Sequence, residues 1–276
     1  METNFKYETF VTRNSGYVDA NSQAKMRELK VLFAGCGLGA STAICATRMG
    51  FCHFTLVDGD VVDMHNLNRQ FFDMDDVNQP KVDALKKHIL QINPTAQIDA
   101  VHAYLDKSNT EELVKNADII FDTIDFLDLE AILSLHSSAK KHHKPVFTAL
   151  SIGPGAGVLF FPPDSKASLV DIISADIQQA QTEGNASYTN VFSKIMGRIG
   201  AHLDKDVVEQ VAKALIIMED GRPCPASQIA VGSFTVAAMA VSMMHDWIAG
   251  RPVPCAPIMV AHSFKNHETK LIDISA

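Results

Sequence analysis

Apolar residues in this chain gather in short runs separated by segments of helical period. K-V-L-F-A at 30–34 and F-T-L-V at 54–57 read as buried strands, and so do D-I-I-F at 118–121 and the run at 145–150. Residues 97–102 alternate, as a further strand would. Between these runs the pattern predicts helices at 37–50, 82–92, 110–116 and 127–142, with Asn109 a candidate cap for the third. The dipeptide N-P at 93–94 stops the second of them. A polar lead-in carries one helix near 20–29, and residues 59–80 have no helical period and read as a long loop. Strand–helix–strand alternation of this kind implies a mostly parallel, doubly wound sheet with right-handed crossovers.

After residue 151 the rhythm changes. S-I-G-P-G-A-G reads as a glycine-rich turn and V-L-F-F-P-P as a strand stopped by prolines. Residues 164–227 are mixed and helical, with a loop at 220–226. A long apolar helix at 227–248 and a strand near 258–261 follow. The apolar run at 229–244 is interrupted by Gly232, Ser233 and Thr235 and falls short of the roughly 20 residues of a membrane span, so it reads as a buried helix. The expected organisation is an arm at 1–29, a nucleotide-binding domain at 30–163, and a region at 164–276 continuous with it, adding mixed or antiparallel strands and helices.

Composition narrows the class. The chain has 276 residues, 47% hydrophobic and 20% charged, as in ordinary soluble domains. A net charge of −8 argues against DNA or an anionic membrane as the main partner. None of the five cysteines forms a CxxC pair, which speaks against a Cys₄ zinc site. Their odd, scattered placement suits reduced thiols in a cytoplasm, and the N-terminal residues lack a secretory signal's apolar core. The eleven histidines show no metal-binding spacing, and His65 is the one placed beside candidate pocket residues. Met239, Met243, Met244 and Trp247 form a stripe expected in the core or at a subunit surface.

The chemistry concentrates between residues 32 and 81. Gly35, Gly37, Gly39 and Ala40 spell G-x-G-x-x-A between a strand and a helix, a turn that brings phosphate against backbone amides. This is the hallmark of a Rossmann-like nucleotide site. Asp58 ends the second strand, where an acid binds ribose hydroxyls, whereas nearby Asp60 reads as solvated. Asn66, Arg69, Gln70 and Lys81 follow. A guanidinium fork and an ammonium after a ribose acid exceed what hydride transfer requires and suit a triphosphate. Lys86 and Lys87 read as surface residues. D-T-I-D at 122–125 lies at a strand's carboxyl end: Asp122 reads as a strand-end acid bonded to backbone amides and Asp125 as a Mg²⁺ ligand.

In combination, these motifs resemble the MoeB/ThiF/HesA branch of the ubiquitin-activating-enzyme superfamily over residues 10–161. The resemblance implies ATP-dependent adenylation of a carboxylate with release of pyrophosphate. It implies that Asp58 holds ribose, that Asn66, Arg69 and Lys81 hold the phosphates, and that Asp125 takes Mg²⁺. Members are typically homodimers in which an N-terminal arginine reaches the partner's ATP. Arg13, in V-T-R-N-S-G-Y, stands at that place, although the family's usual R-x-x-R-Q form is absent. The acceptor it implies is a protein or peptide C-terminus or a similar small carboxylate; a modified tRNA nucleoside stays open. Many members carry a thioester-forming cysteine, for which Cys224 is the candidate here; Cys36 reads as a small side chain in the turn, Cys45 and Cys52 as packing, and Cys255 as a loop thiol. Two alternatives share part of the signal: an NAD-dependent oxidoreductase, which leaves Arg69, Lys81 and D-T-I-D unexplained, and a non-catalytic nucleotide-binding or scaffold subunit.

Overall fold

A computed structural model describes residues 4–125, 128–182, 188–219 and 227–275. Five parallel strands carry the first half: β1 (Lys30–Ala34), β2 (His53–Val57), β3 (Gln97–Val101), β4 (Ile119–Asp122) and β5 (Val146–Ser151). Three antiparallel strands extend the sheet: β6 (Gly155–Phe161), β7 (Ile258–Ser263) and β8 (Glu268–Asp273). The order is β3-β2-β1-β4-β5-β6-β7-β8. The parallel strands reverse direction of travel between β1 and β4, the kind of point at which open α/β sheets bind ligands.

Period-two alternation along β1 divides the core. Val31 and Phe33 face a cluster that includes Leu56, Phe121, Phe147 and Phe160. Helices α3 (Leu38–Met49), α4 (Lys81–Ile92) and α10 (Ala230–Ile248) cover that face. Leu32 and Ala34 face the other cluster, with Ile120, Val114, Leu135 and Ile173. This side is covered by α5 (Thr110–Lys115), α6 (Leu129–Lys141), α7 (Leu169–Thr182) and α8 (Tyr188–Ile199), and α9 (Lys205–Glu219) packs beside α8. Met243 and Met244 are buried, and Met239 and Trp247 pack on the same cluster as core residues. Among the described residues no helix is long and apolar enough to cross a membrane.

The lead-in is more ordered than its polarity suggests. A short helix α1 (Tyr7–Phe10), a 3₁₀ turn at Thr12–Asn14 and α2 (Ala20–Glu28) tie it to the C-terminal end of α3. The Tyr7 hydroxyl donates to Gly50 O at 2.8 Å, and Asn14 and Gln23 amides each donate to Met49 O at 3.0 Å.

Three expectations need correction. The glycine-rich turn is confined to residues 152–154: Ser151 still belongs to β5, and Gly155 already pairs with Ser263 in β7. A Cβ at Gly155 would overlap the His262 carbonyl, so glycine here serves close strand approach rather than a bend. Strand β8 was not expected, because an edge strand with exposed Leu271 lacks clear inward alternation. Asn109 does not cap α5 with its side chain, which instead accepts from the Asp106 N–H at 3.0 Å and donates to Tyr104 O at 2.9 Å. Asp106 takes the backbone N–H groups of Ser108 and Asn109 instead.

Helix α10 meets the β5–β6 hairpin without space for a methyl group. A Cβ on Gly232 would fall onto Ser151 Oγ and lie 2.6 Å from the Gly153 carbonyl. Gly232→Ala is therefore expected to lower unfolding stability by about 1–3 kcal/mol, as overpacking of a tight interface does. Urea denaturation reads this directly, and an unchanged midpoint would show that the helix can lift from the hairpin freely.

Candidate functional site

The site begins where β1 runs into α3. Gly35 sits at φ +92° in the left-handed region, and a Cβ there would lie 2.6 Å from the Thr123 carbonyl. At Gly39 a Cβ would come within 2.9 Å of Thr123 Oγ1, and at Gly37 within 3.0 Å of the Gln70 amide nitrogen. Helix α3 starts after Gly37 with no side-chain cap, and among the described residues no side chain is bonded to its leading N–H groups. Those amides and the positive helix end make a cradle chemically suited to an anion.

Asp58 closes the cradle from β2. One carboxylate oxygen accepts the Cys36 N–H at 2.7 Å and the other accepts the Asp60 N–H at 2.8 Å. Burial raises its pKa above the usual range, outweighing Lys81 and the two amides. Burial, helped by Asp58, also pushes the Cys36 thiol well up. Cys36 is thus an inert, fully buried side chain and not an activated thiolate.

Lys81, at the start of α4, is nearly buried, with its ammonium 2.7 Å from Asp60 Oδ2. Asp60 is not simply solvated as expected. It bridges Lys81 and the Tyr104 hydroxyl, which donates to Oδ1 at 2.7 Å. Partial burial opposes this, yet the Lys81 and Tyr104 hydrogen bonds hold the Asp60 carboxyl below its ordinary pKa. The Tyr104 ring lies over Gly59, where a Cβ would approach it to 2.6 Å.

The segment between these groups is folded by local hydrogen bonds. Buried Asn66 accepts the Asp63 N–H at 2.9 Å, closing a capping box around a 3₁₀ turn, and exposed His65 lies beside Asp63. Arg69 donates to His65 O and Asn68 Oδ1 at 2.9 Å and, through Nε, to Gln228 Oε1 at 2.5 Å. Burial lowers the Arg69 pKa from its usual value. The Gln70 side chain lies against Gly37, with its carbonyl oxygen buried and without a hydrogen-bond partner.

On the other side of the glycine turn, Thr123 donates from its hydroxyl to Gly35 O at 3.0 Å. Asp122 is buried at the end of β4, and accepts the Ile124 N–H at 3.2 Å as well as side-chain bonds from His136 and Thr148 at 3.0 Å. Asp125 is exposed three residues beyond the strand.

Contacts thus tie Gly35, Gly37, Gly39, Asp58, Gln70 and Lys81 to one rim, with Ala40 following in α3. Asn66 and Arg69 are bonded instead within residues 63–69 and to Gln228, and Asp125 leaves the adjacent strand end. Arg13 does not join them within its own chain. Its exposed 3₁₀ turn is fastened to the far end of α3, about 18 Å along that helix from the glycine turn. Cys224 lies outside the described residues; Cys255 is exposed and Cys45 and Cys52 are at least half-buried. Lys87 is exposed, as expected, and pairs with buried Asp76 at 3.0 Å, which also meets His88. His88, Asp76 and Asp73 have ligand atoms within 4.8 Å of one another, a grouping that sequence spacing concealed.

Four polar residues of the site escaped sequence reading. Thr123 was inside a noted motif, and Tyr104 is an aromatic just past a strand. His136 falls on the apolar face of α6 with Ile132, Leu135 and Ala139, a polar exception that could have been flagged. Gln228 carries no local signal.

Known proteins resemble the chain in sequence and in fold. The ThiF family profile matches residues 11–275. The molybdopterin-synthase adenylyltransferase of Haemophilus influenzae is 34% identical over 114 residues, which are 41% of this chain and 47% of that protein. The chain thus matches about half of that relative's length. The sulfur carrier protein ThiS adenylyltransferase of Escherichia coli is 25% identical over 182 residues, 65% of this chain and 71% of that one. In fold, the chain is similar to Escherichia coli MccB solved with ATP, at 17% identity and a TM-score of 0.67 over 92% of this chain and 66% of that one. PaaA is similar at 22% identity and a TM-score of 0.65, with the same coverage.

Two glycines separate backbone strain from steric exclusion. Gly35 and Gly16 both have positive φ, but only Gly35 faces a carbonyl, and Gly16 has open space. Gly35→Ala is expected to cost about 1–3 kcal/mol more than Gly16→Ala. Thermal melts of both variants measure the difference; equal losses would mean that the Thr123 contact yields readily.

Proposed function

The chain belongs to the ThiF family, and on that premise we propose that it is an ATP-dependent adenylyltransferase which activates a carboxylate as an acyl-adenylate. The observation that carries this is the position of Lys81, a nearly buried cation held beside the ribose acid and the uncapped amides of α3. A dinucleotide needs the turn and the acid; a triphosphate also needs the cation.

The residues fit ATP. Gly35 and Gly37 bring the turn close to the Thr123 carbonyl and the Gln70 amide, and the donors are backbone amides, Lys81 and Arg69. Asp58 accepts from ribose hydroxyls, and Asn66, Gln70, Arg69 and Lys81 contact the phosphates. The exposed Asp125 carboxylate is a hard oxygen donor suited to Mg²⁺. When bound there, Mg²⁺ would supply charge neutralisation on the triphosphate. An acceptor carboxylate oxygen attacks the α-phosphorus; a P–O bond forms, the bond to the β-phosphate bridge breaks, and pyrophosphate leaves with the electron pair. Lys81 and Arg69 stabilise the charge that develops on the departing oxygens. Little proton transfer is required, and positioning carries the rate.

The two relatives are named adenylyltransferases of molybdopterin synthase and of the sulfur carrier ThiS. A protein or peptide C-terminus is therefore the acceptor class we assign here. Residues 30–163 bind ATP, and 164–276 bind the acceptor and a second subunit. Exposed Val231, Phe234 and Ala238 form an apolar stripe on α10, and Tyr17 is 88% exposed on the arm, as a homodimer surface would require. The anchoring of Arg13 at the far end of α3 supports its action in the partner's site. ATP as substrate and the buried thiols fit a cytoplasmic protein.

Lys81→Ala and Asp125→Ala are each expected to reduce ATP–pyrophosphate exchange by about 10²-fold or more while far-UV circular dichroism stays unchanged. Unaltered exchange in both variants would remove these assignments. Wild-type protein that binds ATP yet exchanges no pyrophosphate with any carboxylate acceptor would make the chain a non-catalytic subunit.

Subunit mixing tests Arg13. Arg13→Ala and Lys81→Ala proteins, each inactive alone, are expected to regain about one quarter of wild-type activity when exchanged in equal amounts, because mixed dimers rebuild one intact site. No recovery after verified exchange would confine Arg13 to its own chain.

A further inference from the structure

Asp122, His136 and Thr148 form a buried polar knot that the proposed chemistry does not use. All three are at most 3% exposed, and they come from β4, α6 and β5. His136 Nε2 lies 3.0 Å from Asp122 Oδ2, and the Thr148 hydroxyl donates to the same oxygen at 3.0 Å. With carboxylate as its partner, Nε2 carries the imidazole proton and donates it. The other oxygen, Oδ1, accepts the Ile124 N–H at 3.2 Å. The His136 and Phe161 rings lie edge to face, with centroids 5.0 Å apart at 77°.

A histidine is a costly way to fill this space. Its neighbours on the buried face of α6 are Ile132, Leu135 and Ala139, and an apolar residue would pack there without a partner to satisfy. What His136 supplies is a donor that holds the Asp122 carboxylate in one orientation. That carboxylate holds Ile124, while Thr123 is held by Ala34 O at 2.9 Å and Gly35 O at 3.0 Å. The chain leading to Asp125 is thereby pinned on both sides, to the glycine turn and to the core.

We propose that His136 is a positioning residue that acts through Asp122 and Ile124 to set Asp125 for its divalent cation. This rests on the adenylation site described above. Outer partners of this kind change metal affinity by about 10–100-fold when removed.

The test compares His136→Leu, which fills the space without a donor, with His136→Gln, which keeps an N–H. Asp125→Ala serves as reference. Three quantities are read on the full chain: Mn²⁺ affinity by electron paramagnetic resonance in the presence of a non-hydrolysable ATP analogue, the Mg²⁺ concentration giving half-maximal pyrophosphate exchange, and the melting temperature without ligand. His136→Leu is expected to weaken Mn²⁺ binding and raise the Mg²⁺ requirement by about tenfold, with exchange largely restored at saturating Mg²⁺. His136→Gln should remain within about threefold of wild type. Wild-type Mn²⁺ affinity in His136→Leu, or equal losses in both His136 variants that follow their melting temperatures, would overturn the positioning role. Wild-type Mn²⁺ affinity in Asp125→Ala would overturn the metal assignment beneath it.

Discussion

The Thr123 carbonyl occupies the space that a Cβ on Gly35 would need, and the geometry of the rim follows from that contact. Strands β1 and β4 are neighbours with Ala34 opposite Asp122, so both chains leave the sheet side by side. One must turn into a helix with its amides facing outward; the other must carry an acid to the same rim. Both can do so only if the first residue after β1 lacks a side chain and accepts positive φ. Thr123 then joins the two exits through its own hydroxyl, and Gly39 lets that hydroxyl stand against the helix. Sequence, backbone conformation and placement of the anion cradle are three aspects of one steric fact.

Electrostatics divide the rim into prepared and guarded groups. The α3 amides are prepared: no side chain caps them. Lys81 is guarded, because Asp60 neutralises it at 2.7 Å while Tyr104 steadies Asp60. On the proposed function, an incoming phosphate would compete with a carboxylate that is half exposed and can turn to water, so exchanging one anion for another would cost less than moving a cation into a bare pocket. Arg69 is held similarly by Gln228, a residue just before α10. That contact joins the segment after β2 to the chain entering α10.

The central sheet was readable because strands buried on both faces leave uninterrupted apolar runs, and 30–34, 54–57 and 118–121 coincide closely with β1, β2 and β4. The glycine turn was readable because only glycine meets the conformational demand at Gly35. Strand β8 was not, since an edge strand is shaped by its one partner and not by a pattern of its own. The Asp60–Lys81 pair was missed because 21 residues separate its members, and the sequence gives no register for a loop that long. Gln228 was missed for the same reason at a separation of 159 residues. His136 could have been seen: a lone histidine among Ile132, Leu135 and Ala139 breaks the helix's apolar face and calls for a partner.

The central claim is that a nucleoside triphosphate with Mg²⁺, and not a redox dinucleotide, occupies the rim. Isothermal titration calorimetry of the unmodified chain with ATP plus Mg²⁺, and separately with NAD⁺, addresses it directly. The account predicts saturable binding of ATP that weakens on removal of Mg²⁺, and no heat from NAD⁺. Saturable NAD⁺ binding that ATP and Mg²⁺ fail to displace would contradict it.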